Sequence, residues 1–161
     1  MATVIRNTAP EVPALVTAIN GARVAAVGSS FHPDASEVVV TAATATNLAT
    51  SLTLVNQLRA VFEFHKADTV AHKAADATTM TAPAATDLAT AITLANELKA
   101  DYNVHRASTT YHYTADSTNA VAATNASDQD TLNTLVNEIK TDLNAHMAGA
   151  PAGASLRLSA S

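Results

Sequence analysis

Cysteine and tryptophan are both absent from this 161-residue sequence, and aromatic residues make up only 4 % of it. Without cysteine, the chain can form neither disulfides nor thiolate metal ligands. The apolar 48 % is therefore mostly alanine, valine and leucine. Because the burial of alanine in particular contributes little free energy, we expect a thin hydrophobic core. Contacts with partner chains are expected to supply the missing stability.

Charge is also scarce, since charged residues are 14 % of the sequence against roughly 25 % in a typical soluble domain. The nine basic residues are scattered, and the formal net charge is −5. With no lysine and arginine cluster, nucleic-acid binding is not expected. The N-terminal residues lack the apolar core of a signal peptide, and no apolar run is long enough for a membrane span.

The motifs of common enzymes are missing as well. With four glycines in the chain, we find no phosphate-binding loop, nucleophile elbow or His-Glu-x-x-His element. Carboxylates such as Glu97 and Glu138 fall on predicted polar helix faces, where they are expected to be solvated. The sequence therefore predicts that the protein is not an enzyme.

What the chain does contain is an internal repeat with a period of about forty residues. A short motif returns once per period, with one residue inserted before its last copy: Leu15-Val16-Thr17-Ala18-Ile19, Leu54-Val55-Asn56-Gln57-Leu58, Leu94-Ala95-Asn96-Glu97-Leu98 and Leu135-Val136-Asn137-Glu138-Ile139. Self-similarity of this length indicates a repeat architecture, in which each unit buries its apolar face on its neighbours. The recurring asparagines are expected to make hydrogen bonds between helices.

Apolar residues within each motif follow helical spacing, as at Leu88, Ile92, Ala95 and Leu98. We predict an all-α protein of four helical units, a bundle or a short array, with long and partly extended linkers. The helical repeat domain covers 1–147, with helices near 11–27, 46–66, 86–106 and 128–147, and an extended tail covers 148–161. Thr86 and Ser127 are the predicted N-caps of the last two helices. The linkers after Asp68 and Ser108 are predicted to form either a short second helix or an extended segment.

All six histidines occupy two phases of this repeat. One phase lies in the linkers (His32, His72 and His112), and the other lies at the predicted ends of the long helices (His65, His105 and His146). With an aspartate four residues after each of two linker histidines, two complete constellations result: His65, His72 and Asp76, then His105, His112 and Asp116.

Two histidines and a carboxylate match the ligands of a zinc or non-haem iron site, or the carboxylate could orient the imidazole as a neighbour of the ligands. Hydrogen bonds within the fold are the favoured interpretation, because helix-end histidines also stabilise the helix dipole. No cofactor is therefore expected, apart from a divalent metal such as zinc as the alternative. The first and last repeat units each carry half of such a constellation, His32 in the first and His146 in the last. One hypothesis is that His146 of one copy completes the site of His32 in the next copy. The favoured interpretation is that the terminal units are simply degenerate.

The pattern from Leu94 to Ser108, followed by Tyr111-His112 and Ala115-Asp116, resembles repeats in virion-associated proteins of tailed bacteriophages. The resemblance covers roughly residues 46–147 and departs in the first unit, where Pro33 follows His32. It implies a non-enzymatic structural protein of a virion, such as a capsid cement or decoration protein or a head–tail accessory. The implied partners are copies of itself and a major virion structural protein, assembled in the host cytoplasm.

Two other functions fit the same residues. The first is a metal-binding helical repeat module, which the histidine constellations favour. The second is the subunit of a self-assembling filament, which the repeat and the sparsely charged surface favour.

Overall fold

The computed structural model describes residues 38–69 and 71–149. Within these ranges the chain forms three helices and no strand, namely α1 (Leu48–Ala67), α2 (Leu88–Ala107) and α3 (Gln129–Met147). The predicted all-α class is confirmed, and the helix limits lie within two residues of the predicted ones. The predicted helix at 11–27 and most of the predicted tail at 148–161 lie outside the described residues.

Each helix begins with a capping box. In α2 the Asp87 carboxylate accepts from the Thr90 amide at 2.8 Å, and the Thr90 hydroxyl accepts from the Asp87 amide at 3.1 Å. Asn47 and Asp128 cap α1 and α3 in the same way. The predicted caps at Thr86 and Ser127 are therefore wrong by one residue, because it is the following side chain that reaches the third helical amide.

The three helices pack against one another in pairs and form a parallel bundle. Near their N-terminal ends the Ser51 hydroxyl of α1 donates to Asn133 of α3 at 2.6 Å. At their C-terminal ends the rings of His65 and His146 lie 5.1 Å apart. The core between the helices is made of fully buried leucines and isoleucine with one large ring pair, as in Leu54, Leu94, Leu135, Ile139, Phe62 and Tyr102.

Because the helices are parallel, each connection must return the chain along the bundle. Three non-helical segments, 38–45, 78–85 and 119–126, lie along the helices, and we call them return segments. One asparagine of each helix holds one of them through its backbone: Asn56 bonds to both N–H and C=O of Ala85 at 2.8 and 2.9 Å. Asn96 and Asn137 hold Ala126 and Ala45 in the same way. The sequence predicted that these asparagines bond to neighbouring helices. They bond instead to the return segments, so that prediction is wrong.

The opposite side of each return segment is held by the next helix. Glu97 of α2 accepts from the amides of Thr81 and Ala82, each at 2.6 Å. Glu138 of α3 accepts from Ala122 and Ala123 in the same register. The prediction of solvated carboxylates is wrong at these two positions, because free backbone N–H groups of the return segments need acceptors.

The segment 38–45 closes the ring of helices. It is held by α3 through Asn137 and by α1 through Gln57, which accepts from the Ala42 amide at 2.6 Å. It therefore lies between α3 and α1 as 78–85 lies between α1 and α2. The described part of the chain is a closed three-unit bundle, not an open array.

Candidate metal centre

Five histidines meet at the C-terminal end of the bundle, and we call them the five-histidine cluster: His65, His72, His105, His112 and His146. None of their side chains is more than 2 % exposed. One ligand atom can be chosen from each ring so that all five lie within 4.8 Å of one another. Such a cluster of buried imidazoles is the main feature of the structure that packing alone does not explain.

Three of the rings come from the helix ends. His65, His105 and His146 occupy the last turn of α1, α2 and α3. Because the helices are parallel, these turns lie side by side, with the His105 ring 5.3 Å from His65 and 5.7 Å from His146. The helix-end phase of the repeat thus becomes a triangle around the bundle axis.

The other two rings come from the linkers, each placed by a single turn that follows a helix. The His72 amide donates to the Asp68 carbonyl at 3.2 Å, and His112 donates to Ser108 at the same distance. The predicted short second helix is thus reduced to one turn. It brings the His72 ring to 4.4 Å from His65 and to 4.8 Å from His112.

Four of the five rings are oriented by hydrogen bonds at Nδ1. The acceptors for His72 and His112 are the backbone carbonyls of Asp68 and Ser108, at 2.8 and 3.0 Å. A carbonyl can only accept, so Nδ1 carries the proton in both rings. In a neutral imidazole Nε2 is then the lone-pair nitrogen, which is the form that binds a metal.

Carboxylates orient the other two rings. Asp76 accepts from His105 Nδ1 at 3.0 Å, and Asp116 accepts from His146 Nδ1 at 2.9 Å. Each aspartate thus bonds to the histidine of the next helix rather than to the linker histidine that precedes it. A carboxylate behind a ligating histidine fixes the ring and raises its basicity, as in many metal centres.

The two aspartates are themselves held in place. Asp116 accepts from the Thr118 amide at 2.9 Å and from the Asn119 side chain at 2.7 Å. Burial alone would raise the pKa of the Asp116 carboxyl, but the bonds from His146, Asn119 and Thr118 hold that pKa below its usual value. The pKa of Asp76 is lowered in the same way, against burial, by Thr78 and His105. Both carboxylates are therefore ionised acceptors at neutral pH.

Four histidines of the cluster, His72, His105, His112 and His146, are neutral at the same pH because their pKa values are lowered. Burial, together with the neighbouring rings, lowers the pKa of His105 to about 2, although the hydrogen bond to Asp76 opposes the shift. Burial and the rings of His146 and His72 lower the pKa of His112 to about 4. Burial also lowers the pKa of His72 and His146. The centre therefore presents lone pairs to an ion, not protons.

The dimensions suit a first-row metal ion. Zinc binds imidazole nitrogen at about 2.0–2.1 Å, so two nitrogens on opposite sides of an ion are about 4.1 Å apart. The ligand atoms of the cluster lie within 4.8 Å of one another, so ring shifts of about half an ångström bring them to bonding distance. Within the described part of the chain, His105 Nε2 is buried and has no hydrogen-bond partner. Imidazole donors without thiolates suit zinc, copper, nickel and ferrous iron.

Aromatic rings close the centre from the sides. Phe62 meets the His105 ring edge-on at 5.5 Å, and Tyr111 stacks on the same ring at 5.8 Å. Tyr102 lies 5.8 Å from His146, and its hydroxyl donates to the Asn119 carbonyl at 2.7 Å. An ion bound here would be enclosed by protein, which is typical of structural metal sites rather than catalytic ones.

The structure places the predicted site residues differently from the two predicted constellations. His65, His72, His105 and His112 share one cluster, while Asp76 and Asp116 stand behind the rings of the following helices. His146, which the less favoured intersubunit hypothesis paired with His32 of another copy, is buried in the same cluster. His32 lies outside the described residues. The shared repeat phase of His65, His105 and His146 was the signal for their meeting, but only parallel packing makes that signal a single site.

No protein-family model matches this chain, and comparisons with curated proteins and with solved structures likewise find no match. None of the helices in the described ranges combines the length and apolar character needed to cross a membrane. Residues 38–69 and 71–149 form a closed three-helix bundle with a buried cluster of five histidines. What the protein does is inferred from that centre.

Proposed function

We propose that this chain is a metal-binding helical repeat module in which one divalent transition-metal ion, such as zinc, stabilises the bundle from the five-histidine cluster. The observation that carries the proposal is the convergence of five buried ligand atoms within 4.8 Å. Hydrogen bonds within the fold orient Nδ1 of four of the five rings. A buried polar atom without a partner costs about 1–3 kcal/mol, and a metal ion removes this cost at His105 Nε2.

The ion would act as a structural link. The cluster joins the ends of all three helices with two linkers, so an ion there bonds to segments that are up to 81 residues apart, from His65 to His146. The unfolded chain offers no such preformed site, so the binding free energy becomes folding free energy. No step of a reaction is assigned to the centre, because the ion and its ligands are enclosed.

Metal analysis and thermal unfolding of the full chain, produced without a polyhistidine tag, test the proposal. We expect one equivalent of metal in the purified protein and a lower melting temperature after its removal by a chelator. Restoring Zn²⁺ to 100 times its dissociation constant should stabilise the chain by about 2.7 kcal/mol. A chain that binds no metal and whose melting temperature is the same with chelator or Zn²⁺ would sink the proposal.

A pair of variants separates ligation from general stability. His105→Gln removes a ligand, so it should abolish the response to Zn²⁺. Tyr102→Phe removes buried hydrogen bonds to Asn119 and Asp142 but no ligand, so it should lower the melting temperature and keep the full response. Equal Zn²⁺ responses of the two variants would show that the cluster is not the site.

We further propose that the module serves as a non-enzymatic component of a phage virion, with a fourth helical unit at 11–27 and with copies of itself and a major virion protein as partners. The phage-like repeat supports this, and so does the exposed surface. Phe64 and Val104 hold the same repeat position on α1 and α2 and are 56 % and 71 % exposed. We assign the contact with a partner to these two repeated apolar side chains.

Cross-linking of intact particles followed by mass spectrometry tests this second proposal. We expect cross-links from the exposed Lys73, which follows α1, to a major virion protein. Absence of the chain from purified particles would overturn the virion assignment, while long fibres of the isolated chain in electron micrographs would favour the filament subunit instead. Replacement of Phe64 by serine should weaken attachment without changing the metal response.

A further inference from the structure

Four rings of the five-histidine cluster form a closed cycle, in which each ring lies beside two others. The centroid of His65 is 4.4 Å from that of His72 and 5.1 Å from that of His146. The centroid of His112 is 4.8 Å from that of His72 and 5.0 Å from that of His146. The sides of the cycle are thus similar in length, and we call these four histidines the basal set.

The fifth ring, His105, lies beside every member of the basal set. Its centroid is 5.3 Å from that of His65 and 5.0 Å from that of His72. It is 4.6 Å from that of His112 and 5.7 Å from that of His146. The chain order explains this position, because His105 ends the helix that lies between the two linker turns. A cycle of four with a fifth point beside each of them has the pattern of a square pyramid, with His105 at the apex.

We propose that the centre takes a divalent ion that favours tetragonal coordination, Cu²⁺ or Ni²⁺, with the basal set around the ion and His105 above it. This inference rests on the proposed metal-binding function and deepens it by naming the class of ion. Tetragonal sites with nitrogen donors are typical of Cu²⁺ and Ni²⁺, whereas structural Zn²⁺ sites are almost always tetrahedral with four ligands. The cluster brings five ligand atoms within 4.8 Å of one another, one more than a tetrahedral ion uses.

The charge around the cluster suits a divalent ion. The ionised carboxylates of Asp76 and Asp116 bond to two of the rings and are only 7 % and 1 % exposed. A buried charge is costly unless an opposite charge compensates it. Two carboxylates balance the charge of Cu²⁺ or Ni²⁺, whereas Cu⁺ would leave one of them in excess.

The pyramid gives His105 a different role for different ions. Four nitrogens at the corners of a square do not surround an ion tetrahedrally, so Zn²⁺ needs the nitrogen of His105 as well. Cu²⁺ is held mainly by the four nitrogens of its plane and binds an apical ligand weakly. Loss of His105 should therefore affect Zn²⁺ far more than Cu²⁺.

Electron paramagnetic resonance of the full chain with one equivalent of Cu²⁺, produced without a polyhistidine tag, tests the geometry. We expect an axial spectrum in which g∥ exceeds g⊥, with superhyperfine splitting from four equatorial nitrogens. A spectrum in which g⊥ exceeds g∥, as a trigonal bipyramid gives, would overturn the square pyramid. So would the small parallel hyperfine splitting of a flattened tetrahedron, and either result would leave the metal-binding function in place. Failure to retain Cu²⁺, Ni²⁺ or Zn²⁺ would instead overturn the function itself.

Two matched variants separate the apex from the basal set. His105→Gln should keep the spectrum of four equatorial nitrogens while it loses the response to Zn²⁺. His112→Gln, which removes one basal ligand, should lose one equatorial nitrogen and release Cu²⁺ more readily to a chelator. Equal changes in the two variants, or the larger loss of Cu²⁺ in His105→Gln, would refute the apical position of His105. The spectrum of the unchanged protein stands as a test by itself should either variant fail to fold.

Discussion

The position of the proton on each imidazole ring determines which nitrogen of a histidine can bind a metal ion. Because Nδ1 of His72 donates to the Asp68 carbonyl and Nδ1 of His105 to the Asp76 carboxylate, the lone pair of each ring is at Nε2. The acceptors therefore select the tautomer that binds a metal. Their role can be tested without touching a ligand.

Asp116→Asn should lower the affinity for Zn²⁺ by roughly 10–100-fold, the usual cost of losing a carboxylate behind a ligand. The amide keeps the shape of Asp116 but no longer offers His146 an anionic acceptor. Competition with a chelator measures the affinity. Asp128→Asn is the matched control, because Asn47 already performs the same capping role in α1, and its affinity should equal that of the unchanged protein. An Asp116→Asn affinity within twofold of that control would contradict the role of Asp116.

The metal-free protein should lose stability as the pH falls from about 6.5 towards 4. The ordinary histidine pKa is 6.5, and the folded chain lowers it to about 4 at His112 and about 2 at His105. The unfolded chain therefore binds more protons across this window, so the stabilising effect is complete above pH 6.5 and is lost progressively below it. Urea unfolding at several pH values, with chelator present, measures the trend. Equal free energies of unfolding at pH 7 and pH 5 would refute it.

At the scale of the helix, the capping boxes determine the residue at which each helix begins. The Asp87 carboxylate accepts from both the amide and the hydroxyl of Thr90 at 2.8 Å. Asp87→Ala should therefore lower the free energy of unfolding by about 1 kcal/mol, within the range known for N-caps. Asp87→Asn should be nearly neutral, because asparagine makes the same box at Asn47. Urea unfolding compares the two, and an equal loss in both would indicate that charge, not the cap, stabilises α2.

The element scale also shows what could be predicted from the sequence. Helix positions follow from spacings such as Leu88, Ile92, Ala95 and Leu98, since the period of an amphipathic helix is a local property. The role of Asn96 could not be predicted, because its partner Ala126 is thirty residues away and belongs to a segment without a periodic pattern. The two histidine phases were visible in the sequence. Their meeting in one cluster depends on parallel packing, which is not local.

At the scale of the whole molecule, closure of the ring brings the first and last described helices together. The His65 ring lies 5.1 Å from that of His146, although 81 residues separate them in the chain. Lys140 of α3 also reaches across, donating to the Ala42 carbonyl at 2.6 Å. The five-histidine cluster is thus complete only where α3 meets α1, so its geometry depends on the junction that residues 38–45 close.

Asparagine-to-alanine changes at the three junctions measure that closure. Asn56, Asn96 and Asn137 each make two hydrogen bonds to one alanine of a return segment. Loss of a partner for a buried backbone group costs about 1–3 kcal/mol, so the three variants should lower the free energy of unfolding by similar amounts. A neutral Asn137→Ala beside two destabilising variants would mean that the ring is open between α3 and α1. Because α1 and α2 are joined by a linker whereas α3 and α1 are not consecutive in the chain, Asn137→Ala should also weaken Zn²⁺ binding more than Asn56→Ala does.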